Sequence, residues 1–497
     1  MAARVGRRFV SLLTLLSLAI SGSALPLENE PEQIVFQSNA RASLPVSGPT
    51  KSFWTHGRAD ANPLAAEGSE GPLTAEADVC IIGSGIAGTS VAYHLSNLVK
   101  TATARVGADS IGTPVSAVIL EARDFCSGAT GRNGGHLTPY SFFHFHKNTE
   151  LWGKDEAIRA VDIERHVFSE IGNFITEHDV AKKVDFNPSG RLTMFYTQDL
   201  YDEGKLDYDE AVAAGVNVSA DAWFTKEQTK ENYGASYPAA LTPGSNVWPL
   251  KLVTQFYHVA KEASPAYNLT LHTRTPVTAF KAASKHSSRK WSLETPRGSV
   301  DCSYVVHATN AYTSHLLPQF EIVPTRGQII AVKANASVEE LTDTAILLKH
   351  QYWFPRPVSD PSEAPLIIIG GGREVSDPPY EQYTTDDSVV NPKVGKYLRD
   401  FLPEEFPEKF AAGREPEIEW TGIMGYTPTE DPYVGPIQDT ADIKYEGQYV
   451  VAGFSGHGMP RAFGAAEVIA RMVGAELDGS GEWEVPEWFP HHYLTTA

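Results

Sequence analysis

The segment Gly83-Ser84-Gly85-Ile86-Ala87-Gly88 follows the apolar run Ala77–Ile82 and opens a stretch with helical apolar spacing, Thr89–Leu98. In that context a G-x-G-x-x-G turn has a mechanism. The first glycine permits the tight turn, the second lets the backbone approach a pyrophosphate, the third lets helix and strand pack closely, and the helix amino terminus offers N–H groups to the anion. A second apolar run, Ala117–Leu120, ends at Glu121, whose carboxylate suits a ribose diol and repels a 2′-phosphate. Together these features predict a bound adenine dinucleotide. Glu121 lies 33 residues beyond Gly88, against a usual offset of about 20, and a linker over 99–116 accounts for the excess.

A second small-residue segment follows at once. In Glu121-Ala122-Arg123-Asp-Phe-Cys126-Ser127-Gly128-Ala129-Thr130-Gly131-Arg132-Asn133-Gly134-Gly135-His136, the glycines, Ser127 and Ala129 let the backbone lie against a flat ring system and a pyrophosphate. Arg132 and Asn133 have two open readings, hydrogen bonds to phosphate or ring edges, or ordering of their own loop. This segment resembles the second FAD-contacting segment of the D-amino-acid oxidase superfamily, whose members include glycine, sarcosine and γ-glutamylputrescine oxidases. Further stretches in family order are Thr275-Pro-Val277-Thr, His307-Ala308-Thr309-Asn-Ala311-Tyr, Pro324-Thr-Arg326-Gly-Gln, Gly425-Tyr-Thr-Pro-Thr-Glu-Asp-Pro and Gly453-Phe-Ser455-Gly456-His457-Gly458-Met459-Pro-Arg461. The Gly-Arg-Asn-Gly-Gly element is most similar to the γ-glutamylputrescine oxidase branch, with His136 where that branch often has Gln.

The resemblance implies an FAD-dependent oxidoreductase. It assigns Val277 to backbone contact with adenine, Ala308 and Thr309 to a small-residue loop near the dinucleotide, and Ser455–Met459 to the pyrimidine edge of the flavin. There a helix amino terminus stabilises an anionic reduced ring, and His457 either adds to this or caps the turn. Where some relatives carry a flavin-linking Cys or His this chain has Met424 and Arg132, so non-covalent FAD is expected, with Cys126 and His136 as the side chains that could form a link. Arg356, in Tyr352-Trp353-Phe-Pro-Arg356, corresponds to a strand from which relatives extend an Arg to a substrate carboxylate; the alternative is an internal ion pair in this acid-rich chain. Arg373 is a weaker candidate, Arg326 a brace, and Lys349 or His350 a source of positive charge that assists oxygen reduction. The implied reaction is hydride transfer from the carbon of an amine or amino acid to flavin, giving an imine, with molecular oxygen reduced to peroxide. A dehydrogenase with another acceptor and a non-catalytic FAD-binding assembly or trafficking factor are the alternatives. No protein nucleophile is needed, since the cofactor carries the difficult step, and no Cys/His spacing suggests a metal.

These residues need an α/β scaffold: a Rossmann-like FAD-binding domain of discontinuous segments with an interleaved β-rich substrate domain. The expected partition is a signal peptide over 1–24, an extended lead-in without chemistry over 25–75, FAD-binding segments over 76–150, 241–323 and 416–480, substrate-domain segments over 151–240 and 324–415, and a tail over 481–497. Residues 155–178 read as an amphipathic helix, and Pro249 starts another running to about Ala263. The length of 497 residues and 42% hydrophobic content support an extensive core. Acids outnumber Lys plus Arg by 61 to 41, giving a net charge of −20; with no basic cluster, nucleic acid is excluded as a partner. Arg4, Arg7 and Arg8 precede an apolar run, Phe9–Ile20, too short to span a bilayer, which predicts a secretory signal, with a mitochondrial presequence as the alternative. Asn217, Asn268 and Asn335 stand in glycosylation sequons. The 3 cysteines, Cys80, Cys126 and Cys302, read as small buried hydrophobes rather than a disulfide framework.

Overall fold

The computed structural model describes residues 41–106, 113–441 and 443–496, all within the unit Phe36–Ala497. The expected signal segment, 1–24, lies outside the described residues. The first strand, Glu76–Ile82, pairs in parallel with Val115–Leu120 on one side and Gly298–His307 on the other. Tyr267–His272 and Gln448–Ala452 extend the parallel sheet at its two sides. Val79–Ile82 and Ala117–Leu120 are wholly buried, as continuous apolar runs in a parallel sheet covered on both faces should be. The antiparallel strands Tyr433–Pro436, Trp291–Thr295 and Ala279–Ala282 complete this sheet. The helices Ile86–Val106, Pro249–Glu262 and Ala462–Leu477 pack together over it, burying Val91, Leu95, Phe256, Ile469 and Val473 in one cluster.

A second sheet of 8 strands runs in the order Ile418–Tyr426, Val323–Lys333, Leu366–Gly371, Gln351–Pro355, Ala345–Leu348, Arg191–Met194, Ala239–Thr242 and Ala222–Phe224. Its pairings are antiparallel except that between Ala345–Leu348 and Arg191–Met194. The fold is therefore α/β, with one mainly parallel and one mainly antiparallel sheet. Ile418–Tyr426 belongs to the antiparallel sheet, although the sequence partition groups it with the last FAD-binding segment.

Three expectations are corrected. The fingerprint helix continues to Val106, so most of the linker expected before residue 107 is helix: no Gly or Pro interrupts it, and Leu95 and Val99 keep its apolar face packed. The lead-in, expected to be extended, is partly helical and packed into the core where it is described, from residue 41. Trp54 is completely buried within a short helix, Phe53–His56, beneath the loop that follows Glu121. Cys80 and Cys302 form a disulfide with Cα atoms 5.9 Å apart. Parallel pairing of Glu76–Ile82 with Gly298–His307 brings together residues 222 apart in sequence, a proximity that spacing alone could not reveal. All three cysteines are buried, as expected, but only Cys126 is a free thiol.

Non-reducing peptide mapping should recover the Cys80–Cys302 peptide pair, with Cys126 alkylated only after denaturation. Replacing both Cys80 and Cys302 by Ala should cost about 2–5 kcal/mol in urea unfolding; recovering both as free thiols from the native protein would refute the pairing.

Candidate cofactor and substrate site

The glycine-rich turn is built as the motif requires. Gly83 has φ +109°, a conformation a side chain disfavours, and a Cβ there would lie 2.6 Å from the Ala308 carbonyl; one at Gly88 would lie 2.1 Å from the Gly83 carbonyl. The helix starts at Ile86, whose N–H donates to Thr130 Oγ1 at 3.0 Å, tying the second segment to the first. Glu121 is buried at the end of its strand. Its carboxylate accepts from the Ser84 N–H at 3.0 Å, the Ser84 hydroxyl at 2.7 Å and the Arg123 N–H at 2.9 Å.

The loop after Gly128 has no long element of its own, only a short turn, Ala129–Arg132. Remote side chains hold it instead. Ser52 Oγ donates to the Gly131 carbonyl at 2.7 Å, Trp420 Nε1 to the Arg132 carbonyl at 2.9 Å, and Trp54 Nε1 to the Asn133 carbonyl. Three successive carbonyls are thus fixed from two distant segments. Of the two readings of Arg132 and Asn133, loop ordering fits the contacts. Arg132 Nε donates to the Thr421 carbonyl at 2.7 Å, its Nη2 reaches Thr50, and Asn133 Oδ1 accepts from the Gly135 N–H at 2.9 Å. Asp387, fully buried, joins Arg123 at 2.8 Å and Arg132 at 3.2 Å.

Two polar atoms beside this loop lack protein partners among the described residues. Ser127 Oγ and Tyr312 Oη are buried without a hydrogen bond, and Gly128 would carry a Cβ into open space. A dinucleotide with phosphates and ribose hydroxyls supplies acceptors and donors for such groups, so the residues present fit FAD. Val277 is buried in the adjoining cluster, and Ala308 receives the turn at Gly83.

At the far end of the loop the Tyr352 ring covers Gly134, where a Cβ would meet it at 2.4 Å. His136 stands edge-on to Tyr352 and Phe354 at 5.1 and 5.0 Å, and burial, with Arg191 adding to it, pulls its pKa down to about 3. His136 is therefore neutral throughout the physiological range. The Ser455–Met459 turn brings His457 flat against Tyr140, with ring centroids 3.7 Å apart and planes 6° from parallel. His457 Nε2 lies 3.1 Å from Glu164, and Arg461 Nε donates to the other carboxylate oxygen at 2.8 Å. Burial pushes the Glu164 pKa up, but His457, Arg461 and the Tyr140 N–H outweigh it and hold the carboxyl at about 2. Burial also lowers His457, so at neutral pH Arg461 is the cation that balances Glu164, and His457 donates Nε2–H to it.

Two sequence candidates lie elsewhere. Arg356 is buried, paired with Asp185, and stacked among Phe53, Trp54 and Trp248 at 5.1 to 5.4 Å; it braces the underside of the loop, the internal-pair alternative. Lys349 occupies the hairpin turn between Ala345–Leu348 and Gln351–Pro355, where Lys349 and His350 take φ +52° and +71°, and its ammonium pairs with Glu405. It is not brought to the His136–His457 region. Arg326 is the expected brace, held by Glu381 at 2.7 Å. Glu164 escaped the sequence reading, yet its signal was present: it is an acid three residues after Val161 and three before Val167, on the apolar face of helix Lys154–Glu177. Ser52, Trp54, Trp420 and Asp387 carry no such local mark.

The family model described as DAO, FAD dependent oxidoreductase, matches residues 78–472. The chain belongs to this family. The DAO-family protein is 24% identical over 424 residues to the probable oxidoreductase OrdL of Rhizobium meliloti, covering 84% of this chain and 88% of that protein. It is 23% identical over 438 residues to γ-glutamylputrescine oxidoreductase of Escherichia coli, covering 81% and 84%. Its fold matches L-proline dehydrogenase from P. horikoshii with a TM-score of 0.61 at 20% identity, over 85% of this chain and 98% of that one. The DAO family accounts for the small-residue segments: they belong to an FAD-dependent oxidoreductase.

Two outcomes follow from this geometry. Trp54→Phe keeps an aromatic ring but deletes the indole N–H donor to Asn133 and part of the buried volume, and should cost at least about 1–2 kcal/mol while lowering the flavin retained on gel filtration; unchanged flavin content would show the anchor to be dispensable. Glu164→Gln should destabilise the fold at neutral pH. Because the folded carboxyl is depressed, its stabilisation is present above the ordinary value of 4.5 and lost as pH falls toward about 2, so urea midpoints of wild type and variant should converge across that window and remain apart above it.

Proposed function

We propose that this DAO-family protein oxidises the C–N bond of an amine or amino acid to an imine, which water hydrolyses, with molecular oxygen as the final acceptor and hydrogen peroxide as the second product. The observation that carries this reading is a pair of buried aromatic contacts linked through Arg191, whose charge acts on both histidines: His136 at the loop end stands edge-on to Tyr352 and Phe354, and His457 of the Ser455–Met459 turn stacks on Tyr140. Bound FAD supplies the two-electron acceptor. The chain's own residues orient the substrate against it, exclude water with these rings and maintain fixed charges. His136 is neutral, so it presents a polar edge without repelling a cationic amine. The names of the relatives, acting on γ-glutamylputrescine or L-proline, support a substrate bearing nitrogen.

Non-covalent attachment of FAD is part of this reading. Burial drives the Cys126 thiol well above its usual range, which keeps it protonated and unreactive, and Met424 lies within the Ile418–Tyr426 strand. A secretory route is also proposed: the Cys80–Cys302 disulfide suits an oxidising compartment, and Asn217, Asn268 and Asn335 are all exposed. A dehydrogenase passing electrons to another acceptor is the second reading, favoured by the pairing of Lys349 with Glu405 away from the aromatic region.

Anaerobic mixing of the holoenzyme with a panel of amines and amino acids should bleach the flavin, and admission of air should restore its colour with one peroxide per turnover. Failure of every amine to bleach it would overturn amine oxidation. Reoxidation by a dye but not by air would select the dehydrogenase.

A further inference from the structure

Residues 488–495 lie within the segment that the sequence presents as a tail, yet they are built into the core. Phe489 and Tyr493 are buried. The Thr495 N–H donates to the Val434 carbonyl at 3.0 Å and Thr495 Oγ1 to the Pro436 carbonyl at 2.6 Å, so the segment runs along the edge strand Tyr433–Pro436 of the parallel sheet. Trp488 stacks on His166 of the helix Lys154–Glu177, with ring centroids 3.9 Å apart. His492 stacks on Trp152 at 4.7 Å and pairs through Nδ1 with Glu156. Held at these separate places, the segment is a strap across the fold.

The strap meets the flavin end of the site at Arg461. The Arg461 guanidinium carbon lies 5.6 Å from the Tyr140 ring centre and 5.9 Å from that of Tyr493. Two carboxylates compete for this cation. Glu164 takes Nε at 2.8 Å, whereas Asp431 Oδ1 stands 3.9 Å from Nη1. The outcome matters because Glu164 also holds His457, which stacks on Tyr140. The strap biases it in two ways. His492 Nε2 lies 3.5 Å from Asp431 Oδ2, giving that carboxylate a second partner, and the Tyr493 ring attracts the guanidinium to its own position. Burial pushes the Asp431 carboxyl up, and the groups that counter this are Arg461, His492 and Tyr493, two of the three from the strap. A swing of Arg461 to Asp431 would leave Glu164 buried with only a neutral imidazole and a backbone N–H to offset its charge.

We propose that residues 488–495 form a strap that positions the flavin end of the site, with Tyr493 and His492 keeping Arg461 on Glu164 instead of Asp431. This rests on the Ser455–Met459 turn facing bound FAD and is independent of the substrate oxidised. Tyr493 and His492 are positioning residues that act through Arg461 and Glu164. Without them the Glu164 charge is left uncompensated beside His457, where it opposes the negative charge that reduction brings to a flavin.

The test titrates the FAD-loaded protein with dithionite against a redox dye, and reads the flavin midpoint potential beside the melting temperature. Tyr493→Leu should make reduction at least tenfold less favourable, a fall of ~30 mV for a two-electron couple. Tyr493→Phe, which keeps the ring, should retain the wild-type potential, and His492→Leu should move it in the same direction as Tyr493→Leu. Asp431→Asn, which removes the competing charge, should restore the potential in the Tyr493→Leu background. Trp488→Leu should lower the melting temperature without moving the potential. An unmoved potential in a folded Tyr493→Leu or in His492→Leu would overturn the assignment, as would an equal fall in Tyr493→Phe or Trp488→Leu, or one that persists after Asp431→Asn. If Tyr493→Leu does not fold, His492→Leu decides. Because dithionite replaces the amine, the expected potentials together with no bleaching by any amine would sink amine oxidation and leave the strap standing.

Discussion

The structure depends on the fixing of a loop that cannot fix itself. Between Gly128 and Gly135 the chain is rich in glycine and has only one short turn of its own, so ordering it costs much backbone entropy. Ser52, Trp420 and Trp54 counter this by holding the carbonyls of Gly131, Arg132 and Asn133 in sequence. Those from Ser52 and Trp420 are buried and that from Trp54 is partly buried, so the loss of any one would strand a polar group. The lead-in and the antiparallel sheet are therefore parts of the cofactor site, although neither resembles a nucleotide-binding element.

Charge is handled by the same economy. Asp387 gathers Arg123 and Arg132 under the loop, and Glu164 gathers Arg461 and His457 beside it. In both clusters a single buried carboxylate joins segments far apart in sequence, and in both it is surrounded by more than one cation or hydrogen-bond donor. Buried ions so arranged fix geometry more than they add stability. Aromatic rings cover buried charge as well, Tyr140 on His457 of the Glu164 cluster and the Phe53–Trp54–Trp248 group around Arg356 of the separate Arg356–Asp185 pair.

What could be read from the sequence was what short-range chemistry writes into it. The turn at Gly83–Gly88, the carboxylate of Glu121 and the strands flanking them follow from local sterics and apolar runs, and the structure has them with small changes in extent. Pro249 likewise marks the start of its helix. The hidden part is long-range. Trp54 meets Asn133 across 79 residues and Trp420 meets Arg132 across 288; nothing in either tryptophan's neighbourhood announces a hydrogen bond to a distant carbonyl. The Cys80–Cys302 bond depends on two strands becoming neighbours. Arg356 has the expected residue type directly after the expected strand, Gln351–Pro355, but Asp185, from a different part of the chain, decides what it does.

The strand order also sets a timetable for biosynthesis. Glu76–Ile82 gains one neighbour at Val115–Leu120 but has to wait for Gly298–His307 before its other edge is covered. At roughly 5–20 residues per second, a ribosome takes on the order of ten to forty seconds to bridge that gap. Throughout it, the nascent chain carries an apolar strand with an open flank, the kind of surface that chaperones shield and that aggregates when they do not.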